Sequence, residues 1–354
     1  MIKNEYHIIG VMSGTSLDGI DLALVTFTFN NKWTFKINVA ETIPYSEKWQ
    51  LELKTLINHT KEELYLIDQY YTEYLADVIN QFILKHNIDT IDAVCSHGHT
   101  ALHQPDRQLT YQIGNLPLLV KKLKQRVICD FRVQDVALGG QGAPLVPIGD
   151  ELLFSKYDYC VNLGGFANVS TKTQSKRIAF DICPVNIVLN KYISTLGFSY
   201  DAEGRVASEG EINTALLSKL NDLTFYKESH PKSPGLEWVN EVIFPLMERY
   251  ALTVKDVLRT YVEHIAIQIA EVINQKPNAK VLITGGGVFN LFLMDRIKRL
   301  SKNQIIIPSQ EIIEFKEALI FGFLGVLKWR GENNCLSSVT GAVKDHASGM
   351  IYEP

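Results

Sequence analysis

Hydroxyls, main-chain amides and carboxylates crowd together in GTSLDGID, residues 14–21, between two apolar runs. Gly14 and Gly19 let the backbone approach phosphate oxygens, Thr15 and Ser16 can donate hydrogen bonds, and Asp18 can hold magnesium directly or through water. An ordinary tight hairpin with capping hydroxyls would use the same residues. No GxxxxGK[ST] loop occurs in the chain, which disfavours a P-loop enzyme. A second glycine turn, NLGGFANVS at 162–170, carries Asn162, Gly164 and Gly165; alone it reads equally as a β-turn with locally bonded asparagines. In a third, the strand VLIT runs into Gly285, Gly286 and Gly287, with Asn290 one helical turn later. Bare backbone at a helix start suits an adenosine ring or phosphates, and a turn needing positive φ would also explain it. The three turns together point to nucleotide binding.

A carboxylate completes the chemistry. In AFDICPVN, residues 179–186, Asp181 ends an apolar strand and Pro184 precedes a helical pattern. The carboxyl end of a strand is where α/β enzymes place chemistry, and Asp181 there suits a general base that takes a proton from water or a hydroxyl. Its structural alternative is an N-cap for the helix that follows. CSHGHTALHQP, residues 95–105, brings together His97, His99 and His103; without HExxH spacing, histidines bonded to substrate or backbone are preferred to a metal-dependent hydrolase. Arg132 and Asp135 precede the GGQGAP stretch, where a guanidinium can fork onto a carboxylate or form a structural ion pair. Glu317 reads as the start of an apolar helix, EALIFGFLGVL, either reaching the site or complementing the helix dipole.

These residues need a scaffold. The 354 residues suffice for about two domains, and 46% apolar with 21% charged residues is an ordinary globular balance. A net charge of -4 without a long basic run gives little attraction for nucleic acid or an anionic membrane, so a small-molecule partner is expected. Five scattered cysteines without CxxC pairs fit a reducing cytoplasm, and the opening MIKNEYHIIGVMSG lacks the features of an export signal. The most apolar segment, 318–329, is too short to cross a bilayer.

Apolar runs at 6–9 and 20–27 flank the first glycine turn, and 33–39 alternates as a third strand. Thr60 and Glu63 form a capping-box pattern ahead of a long amphipathic helix, and further strands are expected at 91–95 and 127–131. The glycine- and proline-dense 137–147 reads as an interdomain loop. Beyond it, strands at 159–163, 169–171 and 178–181 repeat the strand, glycine turn, strand, strand order, which suggests a duplication. Thr253 and Asp256 then start a helix that leads to the strand 280–284. Domain I is expected at 1–131 together with 332–354, and domain II at 132–331.

In order, GTSLDGID, SHGHT, GGQGAPLVP, NLGGFANVS, the FD-x-x-P-x-N segment, TGGGVFN, the EA-x-x-F helix and VTGA resemble the anhydro-N-acetylmuramic acid kinase family over nearly the whole chain. The resemblance implies two duplicated actin-like, ribonuclease-H-like α/β domains, with mixed sheets flanked by helices around an interdomain cleft. It implies ATP and Mg2+ as cofactors, an amino sugar as substrate, a cytoplasmic homodimer and a role in peptidoglycan recycling. In that family a base-activated water opens the 1,6-anhydro ring and the released O6 takes the γ-phosphoryl group, giving N-acetylmuramic acid 6-phosphate. Residue by residue, Asp181 matches the catalytic base. Gly14, Thr15, Ser16, Leu17, Asp18, Gly19, Ile20 and Asp21 match the ATP-binding turn, with Asp18 as the magnesium residue. Glu317 matches an acidic position near the sugar; the reading of the residues themselves adds His97 and Arg132 as candidate substrate contacts. Two segments depart from the family pattern: Ile182, Cys183, Pro184 and Val185 replace Thr-Gly-Pro-Gly after the base, and KSPGLEW replaces a KSTGRE-like run, with Leu236 where arginine is usual. They motivate two alternatives, a non-catalytic actin-class nucleotide switch and a kinase for a related amino sugar.

Overall fold

The computed structural model describes residues 2–14 and 17–354. Its contacts divide the chain into two units, Met1–Leu153 with Phe315–Pro354, and Phe154–Glu314.

The first unit opens with three antiparallel strands, β1 (Glu5–Ser13), β2 (Gly19–Asn30) and β3 (Lys32–Pro44). β4 (Ala93–Ser96) pairs in parallel with the other side of β1. A separate hairpin, β5 (His99–Gln104) and β6 (Leu109–Ile113), precedes β7 (Val127–Cys129), which pairs in parallel with β4. The C-terminal strand Met350–Tyr352 closes the far edge against β7. β1 is buried almost continuously because helices cover both of its faces, whereas β3 alternates as a half-exposed edge.

Side-chain alternation divides β1 between those helices. Ile9 and Val11 join the core that takes Tyr71, Leu75 and Phe82 from the helix Lys61–Lys85. That helix starts where the sequence places it: Thr60 Oγ1 accepts the Glu63 N–H at 3.3 Å, and the Glu63 carboxylate accepts the Thr60 N–H at 2.8 Å. On the opposite face Ile8 and Gly10 meet the helix Gln310–Arg330. A Cβ built on Gly10 would lie 2.0 Å from the Ala318 carbonyl oxygen, and one on Gly325 would lie 2.1 Å from Cys95 Sγ. Glycine at these positions lets helix backbone rest directly on the sheet.

The second unit repeats the arrangement. β8 (Tyr159–Leu163), β9 (Phe166–Thr173) and β10 (Lys176–Pro184) are antiparallel. β11 (Lys280–Thr284) pairs in parallel with β8, and β12 (Gln304–Ile306) in parallel with β11. In both units the order is third, second, first, then two parallel strands, so the duplication suggested by the sequence is present in the topology. The helix Val254–Ile273, capped by Thr253, supplies Val257, Tyr261, Ile265 and Ile269 to this unit's core.

Three expectations need correction. The 137–147 stretch lies within the first unit, between the helices Val133–Ala137 and Pro147–Leu152, and the divisions fall at 153/154 and 314/315 rather than 131/132 and 331/332. Buried polar bonds hold that stretch. Asp135, fully buried, accepts the Gly142 N–H and the Thr340 hydroxyl at 2.7 Å each, while Gln141 N–H donates to the Thr340 carbonyl at 2.8 Å. VTGA is therefore a clasp on GGQGAP. Arg132 does not form the structural ion pair with Asp135; it bonds His97 and the Gly142 carbonyl instead. Glu317 does not start its helix, which begins at Gln310, so a helix-dipole role is ruled out. Among the described residues no helix is long and apolar enough to cross a membrane.

Gly10→Ala should cost about 3 kcal/mol, because the clash is with backbone that cannot rotate away. Calorimetry should show a melting temperature several degrees lower; an unchanged melt would contradict the packing of that helix on β1.

Candidate active site

Strand register assembles the second unit's polar residues. Thr284 pairs with Asn162, Asn162 with Asn168, and Asn168 with Asp181, so one row crosses β11, β8, β9 and β10. Directly opposed residues share a face, which puts Asn162, Asn168 and Asp181 on one side of the sheet. Asn168 is exposed and the other two are partly so, in a sheet otherwise rich in buried apolar side chains.

Asp181 is not the last residue of its strand, which continues to Pro184 through a bulge between Asp181 and Cys183. The helix Asn186–Ser194 is preceded by Val185, so Asp181 is not its cap. The Asp181 carboxylate accepts the Ser233 hydroxyl at 2.5 Å. Burial raises its pKa above the usual aspartate range, and the Ser233 bond opposes that rise. A carboxyl so placed is a stronger base than a free aspartate.

The glycine turns flank this row, partly for structural reasons. Gly164 N–H closes the hairpin onto the Phe166 carbonyl, and the Gly165 carbonyl accepts the Val185 and Ile187 amides at the start of Asn186–Ser194. Asn290 caps the helix Leu291–Leu300, its side chain accepting the Leu293 N–H at 2.9 Å. Gly285 has φ +87°, and a Cβ there would press on Asn162 Oδ1 at 2.6 Å. A Cβ on Gly287 would meet Leu163 at 2.7 Å. Gly286 differs: it is exposed, its φ is unexceptional, and an added Cβ would find nothing within 4 Å. Among the described residues nothing demands glycine there, unlike at Gly285 and Gly287.

In the first unit, Thr15 and Ser16 lie outside the described residues. Gly14 is partly exposed, and Leu17 holds φ +60°, an uncommon conformation for its type. Asp18 is exposed and its carboxylate accepts the Gly19 N–H at 3.1 Å. Asp21 accepts the Thr42 hydroxyl at 2.6 Å. Ile20 is wholly buried in the core, so of the residues 14–21 it contributes backbone alone. Beneath the turn, Ser13 Oγ contacts Tyr45 OH at 2.5 Å and His99 Nδ1 at 2.8 Å, and Tyr45 OH contacts Tyr71 OH at 2.5 Å. Burial pushes the Tyr45 phenol up to about 12 and His99 down to about 4, keeping both neutral.

His97 and Arg132 form one hydrogen-bonded unit. Arg132 Nε donates to His97 Nε2 at 2.8 Å, which leaves His97 Nδ1 to donate to the Gly98 carbonyl, also 2.8 Å away. Burial, then the neighbouring guanidinium, hold the His97 pKa well below its usual value. Arg132 Nη1 donates to the Gly142 carbonyl at 2.7 Å. These bonds occupy both His97 nitrogens, so the metal reading of the histidine loop fails. Among the described residues, the three-residue group with metal-ligand donors is instead Asp135, Cys335 and His346.

Glu317 is open to solvent although protein atoms surround it densely. Crowding raises its pKa, against the lowering influence of Arg132 and Lys316; its exposure limits the rise. Its neighbour Lys316 is pinned to Asp150 at 2.7 Å, both side chains buried, which fixes that helical turn.

The residues after Asp181 that depart from the family pattern point away from the polar row. Ile182, Cys183 and Val185 are in the hydrophobic core, and the Pro184 carbonyl accepts the Tyr261 hydroxyl at 3.1 Å. They exchange backbone freedom for packing. Leu236 is half exposed. Ser233, beside Lys232, was missed as a partner of Asp181; the signal was the KSPGLEW segment itself, whose contact with β10 no local pattern reveals.

Two duplicated α/β units of this strand order, with a partly exposed carboxylate in one and glycine turns in both, place the chain in the actin-like fold class. The family model for anhydro-N-acetylmuramic acid kinase matches residues 6–354, and the chain belongs to that family. Curated relatives agree. The anhydro-N-acetylmuramic acid kinase of Mannheimia succiniciproducens is 33% identical, covering 99% of this chain and 100% of that protein. That of Pasteurella multocida is 34% identical, covering 99% and 98%. A solved ROK family glucokinase from Streptomyces griseus, in complex with glucose and AMPPNP, aligns over 90% of this chain and 99% of that one, with 12% identity and a TM-score of 0.41, too loose a likeness for residue correspondence.

The bonding around His97 makes a spectroscopic prediction. Nitrogen NMR of the ring should show a neutral Nδ1–H tautomer throughout the neutral range, and an imidazolium signal there would contradict the Arg132 contact.

Proposed function

We propose that this kinase opens the 1,6-anhydro ring of anhydro-N-acetylmuramic acid with water and phosphorylates the freed O6. Asp181 is the base. Its carboxylate takes a proton from water, the water oxygen bonds to C1, and the C1–O6 bond breaks. O6 then bonds to the γ-phosphorus of ATP, ADP leaves, and the Asp181 proton passes to solvent. The products are N-acetylmuramic acid 6-phosphate and ADP. The observation that carries this reading is the solvent-accessible carboxylate of Asp181, its pKa raised by burial, in register with Asn168 and Asn162.

The remaining residues bind and orient. Each unit offers its own turns to a nucleotide, 14–21 in the first and Gly164–Gly165 with Gly285–Gly287 in the second, and Gly286 is the position where a side chain would stand in a ligand's way. Asp18, exposed and acidic, fits a magnesium ligand, and the ion would neutralise phosphate charge when bound. Arg132, held by neutral His97, and Glu317 contact the sugar, the guanidinium serving its carboxylate. Phosphoryl transfer needs mainly alignment and charge compensation, whereas opening the acetal needs one well-placed base. A cytoplasmic homodimer working in peptidoglycan recycling completes the proposal.

Incubation with anhydro-N-acetylmuramic acid, ATP and magnesium should yield the 6-phosphate by mass spectrometry; folded protein that forms none would refute the assignment. Asp181→Asn should lower kcat by at least about a thousandfold while leaving ATP binding intact. Since the base must be ionised and its pKa is raised, kcat/KM should fall as pH drops through a value above that of free aspartate; a flat acidic profile would speak against Asp181. Gly286→Ala should raise the KM for ATP about tenfold with no loss of melting temperature, and unchanged ATP kinetics would remove that turn from the nucleotide site.

A further inference from the structure

We infer that Ser233 is a positioning residue that selects which oxygen of Asp181 acts as the base, an inference that rests on the catalytic reading above. Two contacts bring the segment carrying it to the open edge of β10, and a third holds it from the other side. His230 stacks on Phe180 with ring centroids 5.3 Å apart and planes 22° off parallel. The Asp181 N–H donates to the Lys232 carbonyl at 3.0 Å, so the edge strand's main chain is bonded at the position of the base. Lys232 fixes the segment from its other side: its ammonium donates to the Phe225 carbonyl at 2.9 Å and lies 4.6 Å from the Phe225 ring centroid.

With the main chain held, the Ser233 hydroxyl donates to Asp181 Oδ2 at 2.5 Å. Among the described residues Oδ1 receives no hydrogen bond. With Oδ2 engaged by the Ser233 hydroxyl, Oδ1 is the oxygen whose lone pairs are all open to take a proton. The bond also favours the charged form and so offsets part of the effect of burial on Asp181. Ser233 is itself exposed, so its hydroxyl is not needed to fill the core.

The test compares wild type with Ser233→Ala, Ser233→Thr and Asp181→Asn in the full-length protein, measuring N-acetylmuramic acid 6-phosphate formation against pH. Removing a hydrogen bond to the charged form raises the pKa of the base. Ser233→Ala should therefore move the acidic limb of kcat/KM upward by about one pH unit and lower kcat about tenfold or more, with KM for the sugar changed by less than about threefold. Ser233→Thr, which keeps the hydroxyl, should restore both limb and rate. A Ser233→Ala profile superimposable on wild type, with Asp181→Asn inactive, would overturn the positioning role and leave the base assignment standing. Full activity of Asp181→Asn would remove the base assignment and this role with it. A rise in sugar KM with the acidic limb unmoved would show a substrate contact in place of positioning, and would equally overturn the inference.

Discussion

Hydrogen-bond register across the second unit's sheet is the constraint on which the candidate active site depends. Because side chains alternate along a strand, a slip of one residue between β9 and β10 would turn Asp181 to the opposite face, away from Asn168 and Asn162. Burial enforces the register: Val161, Val169, Ile182 and Cys183 occupy the core and cannot exchange places with their polar neighbours without exposing apolar surface. The bulge after Asp181 shifts the register for the last two pairs, Cys183 with Ala167 and Pro184 with Phe166, before the chain turns toward the helix Asn186–Ser194.

The first unit solves a different problem. Its reactive side chains come from distant parts of the sequence, and close backbone packing holds them. The helix Gln310–Arg330 carries Glu317 and Lys316 and rests on β1 and β4 through Gly10 and Gly325. The GGQGAP stretch, tied to VTGA through Asp135 and Thr340, presents the Gly142 carbonyl to Arg132. Arg132 in turn fixes the tautomer of His97. Each element is positioned by a buried polar bond or by the absence of a Cβ, both of which tolerate little displacement.

Much of this was legible in the sequence. Alternation, glycine turns and the Thr60–Glu63 box marked the opening strands and the first long helix, since these signals are local. The duplicated topology followed from the same strand order occurring twice. Three features escaped because they depend on contacts far apart in the chain. The division of the chain falls after Leu153, not at the glycine-rich stretch, because Asp135 and Thr340 hold that stretch within the first unit. Glu317 lies inside its helix because polar residues from Gln310 onward already adopt helical geometry, and composition drew the start too late. Ser233 reaches Asp181 across 52 positions, a separation that no periodicity encodes.

The central claim is that Asp181 directs water onto the anomeric carbon before phosphate moves. It is tested most directly by running the reaction in heavy-oxygen water and locating the label by fragmentation of the product. Label is expected on the anomeric hydroxyl and none in the phosphoester bridge, with incorporation lost in Asp181→Asn. Label in the phosphoester or confined to free phosphate would contradict it.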